Sequence, residues 1–186
     1  MEIRAATTTD LERLIEIDGT IESARYLHLE RGGEGLATTW RLEERPLRAK
    51  LVDSNTVDDD RRFSLRQVLS DIEEGVGLAV EIEDELAALA VAQVDPAANV
   101  LRVIDVRVDY DLRRQGIGSA LLYQLMAAAR ERGLRAVAAR TSTNNLPAGQ
   151  FFAKLGFELA GMDTHLLSNH DLVKEAVTLF WYAPMD

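Results

Sequence analysis

Three apolar runs joined by very short polar links constrain this chain more than any other feature in it. They are Leu78 to Ile82, Leu86 to Val94 and Val100 to Val108. Only Glu83-Asp84-Glu85 and Asp95-Pro96-Ala97-Ala98-Asn99 separate them. Runs of this length read as strands, and links this short favour antiparallel neighbours. Residues 116–132 follow, with Ile117, Leu121, Leu125 and Ala129 at helical spacing and Gly133 as a natural stop. An antiparallel meander leading into an amphipathic helix is an α/β arrangement built on a mixed sheet.

The flanking segments extend that pattern. Glu2 to Ala5 reads as a short strand. Thr9-Asp10-Leu11-Glu12 reads as a capping box, with Leu11, Leu14 and Ile15 on one helical face. Between about 19 and 62 helical order is lost. Leu27 and Leu29 alternate with polar residues, as do Trp40 and Leu42, and Gly32, Gly33 and Gly35 lie between them, which predicts a hairpin excursion. Pro46 and the polar stretch Asp53 to Arg62 read as exposed loop. Ser64 can cap a second helix with Gln67 at N3 and a stripe of Leu65, Val68, Leu69 and Ile72, ended by Gly75 and Gly77. Arg135 to Thr141 is a strand. Asn144 or Asn145 can cap a helix carrying Pro147 in its first turn and ended by Gly156. Phe157 to Gly161 and Ala176 to Tyr182 are closing strands. The expected order is β-α-excursion-α-β-β-β-α-β-α-β-β, one domain over 1–186.

Composition narrows the function. Of 186 residues, 47% are hydrophobic and 28% charged, as in a globular chain with a sizeable core. Lys plus Arg is 21 and Asp plus Glu is 31, so the net charge is −10 and phosphate backbones are repelled; a nucleic-acid partner is not expected. The absence of cysteine excludes disulfides, thiolate metal sites and a cysteine nucleophile. No apolar run approaches the roughly 20 residues of a membrane span. The start, Met1-Glu2-Ile3-Arg4, has no signal-peptide core, so the expected location is cytoplasmic with no membrane partner. Charge is uneven: residues 1–99 hold 11 basic and 22 acidic side chains, net −11, and residues 100–186 hold 10 and 9, net +1. One reading is a solvated acidic face. The other is a neutral-to-basic half for an anionic cofactor and an acidic half for a cationic substrate.

The stretch richest in chemistry is Val106-Arg107-Val108-Asp109-Tyr110-Asp111-Leu112-Arg113-Arg114-Gln115-Gly116-Ile117-Gly118-Ser119. A strand runs through a short loop into Gly-x-Gly at a helix start. Two glycines let backbone approach a ligand closely. The free N–H groups and the helix dipole favour an anion, and Arg113 and Arg114 add positive charge. A tight turn that merely needs glycine gives the same pattern. Position 121 is Leu, so the third glycine of a dinucleotide fingerprint is missing, and no Gly-Lys-Ser/Thr of a P-loop is present.

RRQGIGSALL after VRVDYDL resembles motif A of the GNAT superfamily of acyl-CoA-dependent N-acetyltransferases, R/Q-x-x-G-x-G/A, with Arg113, Gly116 and Gly118 as the motif residues. A second block, Asn145 to Phe157, is similar to the later pattern N-x-x-A-x-x-F-Y-x-K-x-G-F and departs from it at Phe152. The clear resemblance covers about 78–162. The ending, Asp163-Thr164-His165-Leu166 through Leu179-Phe180-Trp181-Tyr182, is similar to streptothricin acetyltransferases.

The resemblance implies a central twisted sheet, antiparallel at its N-terminal strands, with a splayed parallel pair in the middle and helices on both faces. It implies acetyl-CoA as co-substrate, its pantetheine arm lying between the splayed strands. Val106 and Val108 would supply backbone from the first strand. Arg113, Arg114, Gln115, Gly116, Ile117, Gly118 and Ser119 would hold the pyrophosphate. Asn145 would reach the pantetheine from the second strand, and Phe152 would pack against the arm where relatives carry a tyrosine acid. The implied reaction is acetylation of a primary amine on a small, cationic molecule by direct attack on the thioester. A protein or peptide amine is the alternative acceptor, and a non-catalytic acyl-CoA sensor the alternative class. Asp105 is the first candidate base; its bland reading is a partner for Arg102 or Arg107. His165 and His170 follow, then His28. Three scattered histidines give no metal-ligand spacing, so no metal is expected. A homodimer is consistent with the family, with Trp40, Phe180 and Trp181 as apolar contacts.

Overall fold

A computed structural model describes all 186 residues. In chain order the strands are β1 (Glu2–Ala5), β2 (Ile21–Glu34), β3 (Ala37–Asp53), β4 (Gly75–Ile82), β5 (Glu85–Asp95), β6 (Val100–Val108), β7 (Ala136–Ser142), β8 (Glu158–Asp163) and β9 (Thr178–Pro184). The helices are α1 (Thr8–Glu12), α2 (Asp59–Leu69), α3 (Ile117–Glu131) and α4 (Leu146–Lys154). A seven-stranded sheet runs β1-β4-β5-β6-β7-β9-β8, and β2 pairs with β3 in a separate two-stranded sheet. The expected meander and the expected parallel pair are both present: β4, β5 and β6 pair antiparallel, whereas β6 and β7 are parallel. No helix is long and apolar enough to cross a membrane.

The chain forms two compact units, each discontinuous in sequence. The first holds residues 1–20, 54–139 and 182–186, the second 21–53 and 140–181. In the first, Leu11, Leu14 and Ile17 pack with Leu65 and Val68 of α2 against Ala79, Leu86, Leu89 and Val91 of β4 and β5. Strand alternation sends Ala88, Ala90 and Ala92 to the opposite face of β5, where small side chains let a helix sit close. α3 packs on β4, β5 and β6 with Ile117, Leu121, Leu122, Leu125, Met126 and Ala129 buried. In the second unit the hairpin is long and in unbroken register from Arg25–Pro46 to its turn, with Leu29 opposite Leu42 and Arg31 opposite Trp40.

Several local expectations move. α1 starts two residues earlier than the Thr9 box predicts. The Asp10 carboxylate accepts from the Thr7 N–H at 2.8 Å and from both terminal nitrogens of Arg4 at 2.9 and 2.8 Å. That buried fork holds Asp10 as the third helical residue. Residues 13–16 then tighten into a 3-10 turn, whose larger rotation per residue sends Ile15 out to 92% exposure and leaves Ile17 buried. α2 begins at Asp59, inside the stretch expected as loop, because the Asp58 carboxylate caps the Arg61 N–H at 2.7 Å. Ser64 lies mid-helix and donates to the Asp60 carbonyl instead of capping, and Ile72 is exposed beyond the helix end. Pro46 lies within β3, opposite Arg25, where the register shifts and a missing N–H is tolerated. Gly75 and Gly77 are strand residues rather than helix stops. A Cβ on Gly75 would lie 2.3 Å from the Ala92 carbonyl oxygen, and one on Gly77 would lie 2.4 Å from a Leu69 methyl. Trp181 is buried and donates from Nε1 to Thr141 Oγ1 at 2.8 Å, which removes it from the set of outward apolar contacts.

Candidate functional site

In the first unit, β6 and β7 are in register only at Val100–Ala136, Leu101–Val137 and Arg102–Ala138, although β6 continues to Val108. The strands therefore diverge after three pairs. The Asp109 N–H donates to the Ala87 carbonyl at 2.9 Å, on the β5 side. Backbone groups alternate in direction along a strand, so Asp109 and Arg107 address β5 while Val106 and Val108 address the diverging edge. Both valines are half-buried. The Val108 carbonyl accepts from Arg113 Nε at 3.0 Å. The segment after β6 thus starts from strand backbone that has no register partner in β7.

A 3-10 turn over Tyr110–Leu112 leads to Arg114, Gln115 and Gly116, all exposed. Arg114 has φ +63° and Gly116 φ +86°, so the chain reverses hand twice before α3. Gly116 is the N-cap of α3 and has no side chain to cap it. The first helical N–H with a helix carbonyl is that of Ala120, bonded to the Gly116 oxygen at 3.0 Å. The N–H groups of Ile117, Gly118 and Ser119 therefore project from the helix start together with its dipole. A Cβ on Gly116 would meet no protein atom within 4 Å. Glycine suits that position because its backbone is left-handed.

The two arginines of the motif differ. Arg113 donates to the carbonyls of Val108 (3.0 Å), Thr20 (2.6 Å) and Asp18 (3.3 Å), and its guanidinium stacks 5.1 Å over Tyr110. It braces the loop against the segment leading into the excursion. Asp109 adds to this brace by accepting from the Asp18 N–H at 2.8 Å. The exposed cation beside the helix start is Arg114.

Asp105 and Arg107 are both buried, at 6% exposure each, and form a fork: Nε to Oδ2 at 2.6 Å and a terminal nitrogen to Oδ1 at 3.0 Å. Arg61 adds a longer contact to Oδ1 at 3.5 Å, and Arg107 also donates to the Asn55 carbonyl at 3.2 Å. Arg102 pairs with Asp95 instead, at 2.7 Å. Of the two partners considered from sequence, Arg107 is the one used. Both carboxylate oxygens of Asp105 are engaged by cations, which is the geometry of a structural pair.

In the second unit, Asn145 caps α4 by accepting the Ala148 N–H at 3.3 Å. Phe152 is buried, with its ring 5.4 Å from that of Phe151 and 5.0 Å from that of Phe157. His165 is exposed, its Nδ1 2.8 Å from Thr164 Oγ1 and its N–H donating to Asp163. His170 is also exposed. His28, ranked last from sequence, has a defined partner: Nδ1 lies 2.8 Å from the Tyr26 hydroxyl. Burial, and then the nearby Glu175, push the Tyr26 hydroxyl above the usual phenol range. The spacing of two along an alternating strand is the sequence signal that puts Tyr26 and His28 on one face. The partners of Arg113 have no such signal.

Residues 38–157 match the acetyltransferase (GNAT) family. Streptothricin acetyltransferase of Streptomyces lavendulae is 26% identical over 165 residues, covering 89% of this chain and 85% of that protein. Streptothricin acetyltransferase A of Bacillus subtilis (strain 168) is 35% identical over 78 residues, 42% of this chain; the matched part spans 44% of that protein. Among solved structures, an acetyl coenzyme A complex from Bacillus anthracis, proposed to be a streptothricin acetyltransferase, superposes with a TM-score of 0.79 at 19% identity over 100% of this chain and 97% of the other. Nourseothricin acetyltransferase gives 0.78 at 23% identity over 100% and 98%. The fold is that of these proteins.

Proposed function

The chain belongs to the acetyltransferase (GNAT) family, and from that premise we propose that it moves an acetyl group from acetyl-CoA to a primary amine of a small, cationic molecule. The observation that carries this reading is the uncapped start of α3 at Gly116 following a strand whose free edge diverges from β7. A diphosphate fits the helix N–H groups and the nest formed by alternating backbone hand. A peptide-like arm fits unpaired strand backbone. Arg114, Gln115, Gly116, Ile117, Gly118 and Ser119 hold the pyrophosphate in this reading, and Val106 and Val108 pair with the arm. Arg113 shapes the loop from behind. Asn145 and Phe152 keep the roles that the family pattern suggests for them.

In the reaction the amine nitrogen attacks the thioester carbonyl carbon, the C–S bond breaks and its electron pair leaves on sulfur. The nitrogen must be neutral to attack and must lose a proton afterwards. With no cysteine in the chain, an acyl-cysteine intermediate has no nucleophile, which favours direct transfer. Asp105 remains a candidate base only if its fork with Arg107 opens, whereas His165 is accessible as it stands. The net charge of −10 favours a basic acceptor by long-range attraction. The streptothricin acetyltransferases among its relatives make streptothricin-like amines the first to try.

The test is thiol release from acetyl-CoA across polyamines, amino acids, aminoglycosides and streptothricin, with the product identified by mass spectrometry. Release that requires a basic amine, with intersecting initial-velocity patterns, is expected. No release on any amine would overturn the catalytic reading, and parallel, ping-pong patterns would overturn direct transfer.

A further inference from the structure

The β2–β3 hairpin is covered only part of the way along. Leu29 is buried and Leu42, opposite it, is half-buried. Beyond that pair, from Glu30 to Arg41, every residue is exposed except Gly32 and Thr38, which are half-buried. A two-stranded ribbon with nothing packed on it is marginal in water. Two side chains in this stretch do not suit free surface. Leu36 stands at the turn, 108% exposed, where glycine, asparagine, aspartate or serine is the usual choice. Trp40 is 37% exposed on the strand.

The cross-strand register sorts the side chains by face. Leu29–Leu42, Arg31–Trp40 and Gly33–Thr38 share one face, and Glu30–Arg41 and Gly32–Thr39 share the other. On the first face the Arg31 guanidinium stacks over the indole at 5.9 Å. The next pair toward the turn, Gly33 and Thr38, is small. Trp40 is therefore a knob beside a shallow step. A knob and a step on one face are self-complementary about a two-fold axis, since each indole can lie on the step of the other copy.

Charge selects the same partner. Residues 21–53 hold 6 basic and 6 acidic side chains, so the hairpin is neutral, whereas the chain carries −10. Two copies repel each other wherever acidic surfaces meet, and the hairpin escapes that repulsion.

We propose that the outer end of the β2–β3 hairpin is a self-association surface, on which a second copy of this chain packs face to face through Trp40 and Leu36. The contact is smaller than a standard interface, so the dimer is weak and reversible, with a Kd of about 1–100 μM. Because it joins apolar groups between acidic chains, it tightens as salt rises.

Sedimentation velocity of the full chain, over concentrations spanning that range and at low and high salt, reads the association. Trp40→Glu weakens it by about tenfold or more, as loss of a central aromatic does. Leu36→Ser weakens it too, and at a fully exposed turn position it leaves the fold intact. Thr39→Glu adds the same charge on the opposite face and leaves association unchanged. Trp181, the other tryptophan, is buried, so a blue shift of emission with concentration reports Trp40. A monomer at every concentration overturns the proposal. So does a dimer undiminished in Trp40→Glu and Leu36→Ser, an equal loss in Thr39→Glu, a dimer that forms with no emission shift, or one that weakens with salt.

Discussion

Gly116 and Gly133 lie at opposite ends of α3 and make a matched pair. Gly116 has φ +86° and Gly133 φ +67°, and a Cβ at either would meet no protein atom within 4 Å. Replacing either by alanine forces an L residue into the left-handed region, at about 1–2 kcal/mol. For a chain of this size that lowers Tm by about 2–8 °C. The two variants should therefore lose similar stability. They should differ in ligand binding. At Gly116 the new methyl projects beside the N–H groups of Ile117, Gly118 and Ser119, where a diphosphate would approach. Displacing one charge-assisted hydrogen bond costs about 1.5–3 kcal/mol, a loss of about 10-fold to 100-fold in acetyl-CoA affinity. Gly133→Ala should bind acetyl-CoA as the wild type does. Calorimetric titration of both variants, beside their urea unfolding curves, is the measurement. Equal affinity in the two variants would refute the assignment of the anion site to this loop, and a fall in both would show that backbone strain alone explains the effect.

Arg113→Met should cost about 2–4 kcal/mol of stability, because three carbonyls lose a charged donor; Arg113→Lys should recover little, since an ammonium cannot reproduce the fork, and unfolding curves of both variants decide. Asp105→Ala leaves Arg107 buried and unpaired and should cost about 3–5 kcal/mol; adding Arg107→Met should restore part of that, and a double variant no more stable than Asp105→Ala would contradict the structural reading of the pair. Burial raises the Asp10 carboxyl, but the Arg4 fork and the Thr7 N–H outweigh it and hold it below its usual value. That stability is present above the unfolded carboxyl value of about 4 and is lost as pH falls through the lower folded one. Asp10→Asn should be less stable at neutral pH and flatten the acid limb of Tm against pH, whereas an unchanged limb would exclude Asp10 as a contributor. If acidic surface attracts the acceptor, kcat/KM for a basic amine should fall as salt rises, and a flat salt profile would remove that role.

What local sequence determined about this protein is whatever nearest neighbours dictate. Three apolar runs marked β4 to β6, the short links made them antiparallel, and Ile117, Leu121, Leu125 and Ala129 put one face of α3 inward. Gly-x-Gly before that stripe pointed to an approachable helix start, and Asn145 with Pro147 announced α4. These signals hold because each depends on residues within about two turns or one hairpin of one another. Tertiary structure decided the rest. Arg113 reads as a phosphate ligand by position, yet its guanidinium serves Thr20 and Asp18, 93 and 95 residues away. Thr9 lost the start of α1 to Thr7 because Arg4 fixes Asp10. Gly75 and Gly77 look like helix stops and are strand positions where a side chain would strike Ala92 or Leu69. Asp105 could have paired with either arginine, and burial beside Arg107 chose.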